Sequence, residues 1–322
     1  MKAIVYTTYG SPDELELRDV TTPVVSDHEV LVRVHAASIN PADWHYLTGT
    51  PYLVHLVAGL RKPKRNIPGI DLAGTVEAVG PNVRDYTPGD EVFGWTGGGA
   101  CAEYVAVPEQ QLAPKPAEAS FEQSSTLGVA AFTALQGLRD HGQVSAGHQV
   151  LINGASGGVG TFAVQFAKSL GAEVTAVCST RNVDIVTGTG ADHTIDYTQA
   201  DFTDTHLHYD VVLDVAGNRS LSDSRSVLKP EGILVMIGGP KGKWLGPIPR
   251  LLKARLMSLG RSQKMGSMYA HETKEDLDFF KGLFEAGSLT PVIDRTYPLS
   301  QVPEALNYLG EGHAQGKVVI TM

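Results

Sequence analysis

Short apolar runs separated by turn residues fill the first third of the chain. Residues 29–34 and 74–79 are rich in Val and alternate with polar positions, as half-buried strands do. Turn signals separate such runs, for example Pro81-Asn82 and Pro88-Gly89-Asp90. We therefore interpret residues 1 to about 115 as an irregular, mainly β domain.

Near residue 120 the pattern changes, and strand-like runs begin to alternate with helical ones. A helix-like stretch over residues 121–140 comes first. The predicted strands then cover residues 149–153, 173–178, 193–195, 210–214 and 232–237, with helical patterns such as residues 160–170 between them. Repeated βα units imply a parallel sheet with helices on both faces. The last part predicts helices at 273–286 and 301–309 and strands at 292–294 and 317–321.

One segment, residues 240–268, fits neither pattern because it is rich in Lys and Arg. It predicts a solvated helix with flexible ends. The alternative is a lid or a segment that pairs two copies of the chain.

Composition and charge narrow the function classes. The 322 residues are enough for two domains with cores of their own. With 26 basic and 35 acidic residues the net charge is −9, which disfavours general binding to nucleic acid or anionic membrane but permits a local basic pocket. Neither a signal peptide nor an apolar run of about 18 residues is visible, so we expect a cytoplasmic protein without membrane insertion. Two cysteines are too few for a disulfide framework or a four-cysteine zinc lobe.

The strongest motif is a glycine-rich turn between a predicted strand and a predicted helix. Its residues are Gly154, Ala155, Ser156, Gly157, Gly158, Val159 and Gly160. Glycines allow a sharp turn and close approach of the backbone to a pyrophosphate, and the helix N-terminus supplies free N–H groups. A second strand follows at residues 173–178, so the motif has the context of a dinucleotide site.

The end of that second strand indicates which dinucleotide binds. An NAD site usually has Asp or Glu there, on the ribose 2′-hydroxyl. Here Ser179, Thr180 and Arg181 follow instead. Guanidinium and hydroxyl groups suit a 2′-phosphate, so we predict NADPH as cofactor.

With these features the chain resembles the medium-chain dehydrogenase/reductase superfamily, in its zinc-independent quinone oxidoreductase branch, which is zeta-crystallin-like. The resemblance spans the whole chain and is carried by the glycine turn and by residues 38–44, 68–74, 89–94, 190–197 and 316–320. It implies an α/β protein with two domains. A GroES-like, mainly β catalytic domain would comprise residues 1–120 and 288–322, and a Rossmann domain with a doubly wound parallel sheet would comprise residues 121–287.

The resemblance also implies cofactor contacts. Tyr197 would join Ser179 and Arg181 at the 2′-phosphate, and Thr133 and Asn40 would lie near the nicotinamide. Further contacts are implied at strand ends and near the C-terminus, at Val215, Ala216, Gly217, Ile237, Gly238 and Lys317. Relatives commonly form dimers through the edge of the Rossmann sheet, so we expect a homodimer.

Zinc is not expected. Zinc-dependent relatives have a cysteine where this chain has Ser38 and a His-Glu pair where it has Asp71-Leu72. A catalytic zinc needs about three protein ligands and an open position. Oxidation of an alcohol requires strong stabilisation of an alkoxide, which the metal normally provides. Hydride addition to a conjugated acceptor requires less stabilisation of negative charge.

We therefore predict a zinc-free, NADPH-dependent oxidoreductase that transfers hydride to quinones or α,β-unsaturated carbonyls. Asn40 is a candidate hydrogen-bond donor to the acceptor or nicotinamide, and His45 and Tyr46 are candidate proton donors. Residues 52–57 are apolar, and one hypothesis places them at a hydrophobic substrate mouth. The alternatives are an alcohol dehydrogenase or enoyl-thioester reductase on the same scaffold, or a non-catalytic NADPH-binding redox sensor.

Overall fold

The computed structural model describes residues 1–239 and 248–322. Its strands are β1 (Lys2–Val5), β2 (Glu16–Asp19), β3 (Glu29–Ile39), β4 (Asp71–Val79), β5 (Glu91–Trp95), β6 (Tyr104–Pro108), β7 (Leu112–Pro114), β8 (Gln149–Asn153), β9 (Glu173–Cys178), β10 (His193–Asp196), β11 (Tyr209–Asp214), β12 (Leu228–Met236), β13 (Lys264–Ser267), β14 (Ile293–Pro298) and β15 (Lys317–Thr321). Its helices are α1 (Pro41–Thr48), α2 (His55–Ala58), α3 (Phe121–Ser125), α4 (Val129–Gln136), α5 (Gly158–Ser169), α6 (Val183–Gly188), α7 (Leu221–Ser226), α8 (Ile248–Ser258), α9 (Lys274–Glu285) and α10 (Val302–Gly310).

The chain forms two compact units. The first comprises residues 1–130, 271–287 and 291–322, and the second comprises residues 131–270 and 288–290. The sequence-based boundaries at 120 and 288 differ from these, because residues 121–130 and 271–287 belong to the first unit. There α3 packs on β3 and β4, and α9 packs on β7.

The first unit is built on a mainly antiparallel sheet with the strand order β14-β15-β3-β4-β5-β7. The long strand β3 pairs with β15, β4 and also β6. Its buried side chains, among them Val30 and Val32, form the core with Leu72 and Val318. The mainly β character predicted for this part of the chain is confirmed.

The second unit contains a six-stranded parallel sheet with the order β10-β9-β8-β11-β12-β13. This is the doubly wound arrangement of dinucleotide-binding domains, in which ligands bind beyond the carboxyl ends of the strands. The Rossmann prediction for this part of the chain is confirmed.

Two local predictions were wrong. The helix predicted over residues 121–140 is divided into α3, α4 and a π-helical turn at Gly137–His141. The segment 240–268 contains not only α8 but also β13, an edge strand with a single buried residue, Met265. Such a short edge strand has no apolar alternation to reveal it. Residues 240–247 of the segment lie outside the described residues.

None of the helices in residues 1–239 and 248–322 has the length and apolar character needed to cross a bilayer.

Candidate functional site

A buried cluster of polar side chains lies where three strands of the first unit meet. The antiparallel register places Ser38 of β3 opposite Asp71 of β4, and Ile39 opposite Val318 of β15. The end of β3 therefore lies beside the starts of β4 and β15. Ser38, Asn40, Asp71 and Lys317 are all buried there.

Asp71 is the centre of this cluster. Its Oδ2 accepts hydrogen bonds from Ser38 Oγ at 3.0 Å and from Asn40 Nδ2 at 2.8 Å. Its Oδ1 accepts a hydrogen bond from the backbone N–H of Val129 at 2.9 Å. Gly128 directly precedes Val129, and a Cβ there would overlap the Asp71 carboxylate. The close approach of this backbone to Asp71 therefore requires glycine.

Lys317 supplies the opposite charge. Its Nζ donates to Asn40 Oδ1 at 2.5 Å and lies 3.4 Å from both Ile39 O and Asp71 Oδ2. Three acceptors match the three hydrogens of an ammonium group. Burial lowers the pKa of Lys317, and the carboxylates of Asp71 and Asp43 oppose that effect.

This arrangement bears on the roles predicted for Asn40 and Lys317. The amide oxygen of Asn40 accepts from Lys317, and one amide N–H donates to Asp71. The contact predicted between Asn40 and an acceptor or a nicotinamide stays a prediction. The direct cofactor contact implied for Lys317 stays a prediction, because in this structure the ammonium group is directed at Asn40, Ile39 and Asp71.

A second buried carboxylate, Asp43, lies one turn into α1. It accepts hydrogen bonds from the backbone N–H groups of Asn40 at 2.8 Å and Gly69 at 2.9 Å. Burial raises its pKa to about 7, against the effect of these two hydrogen bonds. Gly69 has φ +93°, and a Cβ there would lie 2.7 Å from the backbone nitrogen of Cys101. We did not predict this role for Asp43, although its position three residues after Asn40 has the spacing of a capping box.

The two candidate proton donors lie on the same helix but differ in their surroundings. His45 is exposed, and its Nδ1 lies 2.6 Å from Thr50 O. Since a carbonyl only accepts, Nδ1 carries the hydrogen, and Nε2 of the neutral ring is an acceptor. Tyr46 is half-buried and contributes, with Asp43, to the raised pKa of Tyr6, whose main cause is burial. A catalytic role for either residue stays a prediction.

The glycine turn has the geometry of a phosphate cradle. Gly154 follows β8 with φ +89°, and Gly157 precedes the first residue of α5. A Cβ on Gly160 would overlap the carbonyl oxygen of Gly154 and would lie 2.6 Å from Ala155 Cα. The first turn of α5 has no acidic residue, so its N–H groups and the positive end of its dipole suit a pyrophosphate.

The residues predicted to bind the 2′-phosphate follow two neighbouring strands, β9 and β10. The parallel register places Asp196 beside Cys178, so Ser179, Arg181 and Tyr197 all follow at the same edge of the sheet. Arg181 and Tyr197 are exposed, and Ser179 is half-buried. Thr180 instead directs its hydroxyl to Asp196 Oδ2, at 2.5 Å.

Two features of this edge were not predicted from the sequence. Asp196 accepts hydrogen bonds from Thr180, Thr198 and Gln199, and the bond from Thr180 is the main reason why its pKa is low. Ser156, in the glycine turn, accepts from Asn182 Nδ2 at 2.8 Å. This bond connects the glycine turn to the segment that follows β9.

The turns that follow β11 and β12 lie at the same edge of the parallel sheet as the glycine turn. The turn after Asp214 contains the predicted Val215, Ala216 and Gly217, and Ile237 and Gly238 follow β12. Gly217 has φ +64°, and a Cβ there would lie 2.5 Å from Gly239 N. The close approach of the two turns therefore requires glycine at position 217.

One ion pair of this edge was not predicted. Arg250 of α8 donates to Asp214 Oδ2 at 2.8 Å and to the carbonyl oxygens of Gly217 and Arg219 at 3.2 and 2.9 Å. Asp214 also accepts from Asn153 and from the N–H of Gly217. In the sequence, Arg250 was only one of many basic residues.

Thr133, predicted to lie near the nicotinamide, is half-buried in α4.

At the positions where zinc-dependent relatives have metal ligands, the structure places an internal hydrogen-bond network. Ser38 donates to Asp71, and both oxygens of Asp71 already accept hydrogen bonds. Among the described residues, no group of three or more His, Cys, Asp and Glu side chains is placed to hold a metal ion.

Known proteins match this architecture along the whole chain. The family model described as "Alcohol dehydrogenase GroES-like domain" matches residues 26–117, and the one described as "Zinc-binding dehydrogenase" matches residues 189–320. The quinone oxidoreductase of Homo sapiens is 31% identical over 100% of this chain and 98% of its own. The chain belongs to the medium-chain dehydrogenase/reductase superfamily. Within it, the chain falls in the zeta-crystallin-like quinone oxidoreductase branch.

Two further matches support the same placement. An Arabidopsis thaliana protein named "NADPH-dependent alkenal/one oxidoreductase, chloroplastic" is 34% identical over 99% of this chain and 79% of its own. The solved structure of the quinone oxidoreductase from Coxiella burnetii has a TM-score of 0.89 and 30% identity, covering 100% of this chain and 99% of that one. Members of this superfamily are oxidoreductases that bind a nicotinamide cofactor, and the glycine turn at Gly154–Gly160 fits its pyrophosphate.

Proposed function

We propose that this protein transfers hydride from NADPH to a quinone or an α,β-unsaturated carbonyl, without a metal ion. The observation that carries the proposal is the edge of the parallel sheet, where a glycine cradle lies beside Ser179 and Arg181 and no carboxylate directly follows β9. The names of the relatives from Homo sapiens and Arabidopsis thaliana support the reaction type.

In this proposal the second unit holds the cofactor, which supplies the hydride when bound. The N–H groups at the start of α5 bind the pyrophosphate, and the side chains of Ser179, Arg181 and Tyr197 bind the 2′-phosphate. Thr180 and Asp196 order the loop that carries them. The remaining predicted contacts, at Thr133 and at the turns after β11 and β12, orient the rest of the cofactor.

The first unit contributes the polar cluster. Lys317 and Asp71 hold the amide of Asn40 from both sides, so its remaining N–H has one orientation. We assign this N–H to a carbonyl of the acceptor or the nicotinamide. A conjugated acceptor spreads the incoming negative charge over several atoms, so water suffices as the proton source, and His45 and Tyr46 stay the candidate proton donors.

The test is the initial rate of NADPH oxidation with a quinone, an enal and a saturated aldehyde as acceptors. Each is measured with and without a chelator and repeated with NADH. We expect turnover of the quinone or enal that prefers NADPH and resists the chelator. Turnover confined to the saturated aldehyde and lost with chelator would instead indicate a metal-dependent dehydrogenase.

An alcohol dehydrogenase is the second candidate. A solved structure titled "Crystal Structure of NAD-dependent alcohol dehydrogenase" has a TM-score of 0.85 and 28% identity over the full length of both chains. The same assay separates the two, because an alcohol dehydrogenase would reduce the saturated aldehyde, which is the reverse of alcohol oxidation. Tight NADPH binding with no turnover of any acceptor would favour a redox sensor.

We also propose that the protein is a homodimer paired through the second unit. Strand β13 is at the edge of the six-stranded sheet. On α8, which packs on β13, Leu252 and Leu256 are exposed, and Leu259 is exposed just beyond it. A strand at the edge of a sheet beside exposed leucines suits a second copy of the chain. Light scattering after size exclusion should give twice the chain mass, and Leu256→Glu should give the monomer.

A further inference from the structure

An exposed apolar patch lies on the first unit, around α2. Its members are Tyr52, Leu53, Leu56, Val57 and Leu60. Leu56, Val57 and Leu60 are 68, 71 and 72% exposed, which is far from the burial such side chains normally have. We call these five residues the apolar patch.

Local contacts keep the side chains of the apolar patch exposed to solvent. His55 packs its ring on Tyr9, with 4.2 Å between ring centroids, and its Nδ1 lies 3.2 Å from Leu60 O. Tyr9 donates its hydroxyl hydrogen to Gly59 O at 2.6 Å. Because His55 lies against the body of the unit, Leu56 and Val57, the next residues of α2, point to solvent. The exposure is therefore built into an anchored turn.

Four cations adjoin the patch. Arg61, Lys62, Lys64 and Arg65 are all exposed, in a chain whose net charge is −9. We call them the basic cluster. The backbone N–H of Lys64 donates to Ala58 O at 2.7 Å, so the chain folds back beside α2. Within residues 1–239 and 248–322, none of the four forms an ion pair with a carboxylate.

We propose that the apolar patch and the basic cluster together dock this protein on the surface of an anionic lipid bilayer. The apolar side chains enter the boundary between headgroups and acyl chains, and the cations lie on the lipid phosphates. Exposed Leu and aromatic residues beside Lys and Arg form the usual composition of interfacial membrane anchors. The proposal does not depend on the reaction that the protein catalyses.

Other occupants fit the observations less well. Lys is depleted in interfaces between proteins, whereas two of the four cations here are Lys. Two copies paired through the patch about a two-fold axis would bring their basic clusters together, which is unfavourable. A substrate pocket is concave and buries its ligand, but Leu56, Val57 and Leu60 are each about 70% exposed.

The test is co-sedimentation of the full chain with lipid vesicles. One set contains phosphatidylcholine alone, and the other contains phosphatidylcholine mixed with phosphatidylglycerol. We expect binding to the mixed vesicles that is at least about tenfold stronger than to the neutral ones, since each cation near an anionic surface contributes about fivefold. The preference should disappear in 1 M salt, where the Debye length is about 3 Å. Equal binding to both vesicles, or to neither, would overturn the proposal.

Paired variants identify the surface. Lys62→Gln should weaken binding to the mixed vesicles about fivefold, whereas Arg84→Gln, which removes the same charge elsewhere on the first unit, should leave it unchanged. Leu56→Ser with Val57→Ser should abolish binding, and Val24→Ser, at an exposed position outside the patch, should not. These side chains make few contacts, so the thermal unfolding midpoint should stay that of the parent. If the serine variant kept its vesicle binding and instead raised the KM for the acceptor or lost self-association, the patch would serve a substrate or a second copy.

Discussion

Asp71 and Lys317 lie 246 positions apart in the chain, yet Lys317 Nζ is 3.4 Å from Asp71 Oδ2 inside the first unit. Both side chains are buried, and the amide of Asn40 lies between them with a hydrogen bond to each. The pair thus holds Asn40 and joins the start of β15 to the start of β4.

Removing one member of this pair should destabilise the protein. Asp71→Asn leaves the buried ammonium group of Lys317 without a counter-charge, and Lys317→Met leaves the carboxylate of Asp71 without one. Each substitution should therefore lower the free energy of unfolding by about 3–5 kcal/mol. The double variant should recover most of the loss, because it removes both charges. Urea titration measures this. Lys281→Met, which breaks a partly exposed pair with Glu285, is the control and should cost under about 1 kcal/mol. Additive losses in the double variant would mean that the two charges are not coupled.

Asp43 should make stability depend on pH. Its pKa of about 7 in the folded protein is above the ordinary value of 3.8 for Asp, so the folded state binds an extra proton between these values. The free energy of unfolding contributed by this site therefore falls as the pH rises from about 4 to about 7, and it is constant above that. Asp43→Asn should flatten this part of the profile. The profile of Asp278→Asn, an exposed control, should keep the parent slope. An unchanged slope in Asp43→Asn would rule out this site as its source.

Two glycines of the nucleotide turn should respond differently to alanine. At Gly160 a methyl group would overlap Gly154 O, so Gly160→Ala should destabilise the protein by about 1–3 kcal/mol. At Gly157 the nearest atom to a Cβ would be 3.8 Å away, so Gly157→Ala should fold normally. Because a pyrophosphate needs the bare backbone there, its NADPH dissociation constant should rise about tenfold. Gly188→Ala, at the open end of α6, is the neutral control. Full NADPH affinity in Gly157→Ala would argue against the cradle.

Arg181 should distinguish the two cofactors. A bidentate bond from a guanidinium to a phosphate is charge-assisted, so Arg181→Ala should raise the NADPH dissociation constant about 10- to 100-fold. The constant for NADH, which has no 2′-phosphate, should be unchanged. Calorimetric titration of both cofactors measures this without any acceptor. A loss of equal size for NADPH and NADH would show that Arg181 supports the loop rather than the phosphate.

Periodic patterns predicted those features that arise from neighbouring residues. The alternation of strands and helices after residue 140 was sufficient to predict the parallel sheet. Each buried parallel strand needs a continuous apolar run, and such a run is visible in the sequence. The glycine turn was visible for a similar reason: its φ of +89° at Gly154 requires a residue without a Cβ. Boundaries were harder, since α3 and α9 belong to the first unit through the strands on which they pack.

Short stretches of chain thus predict the two kinds of sheet, the glycine turn and the absence of a carboxylate after β9. Which side chains are held together depends instead on the tertiary structure. Strand register brings Asp71, Asn40 and Lys317 into one cluster, and α8 brings Arg250 to Asp214. It also decided that Asp43 is buried enough to hold a proton near neutral pH. Burial and long-range pairing depend on the whole fold, so no local pattern encodes them.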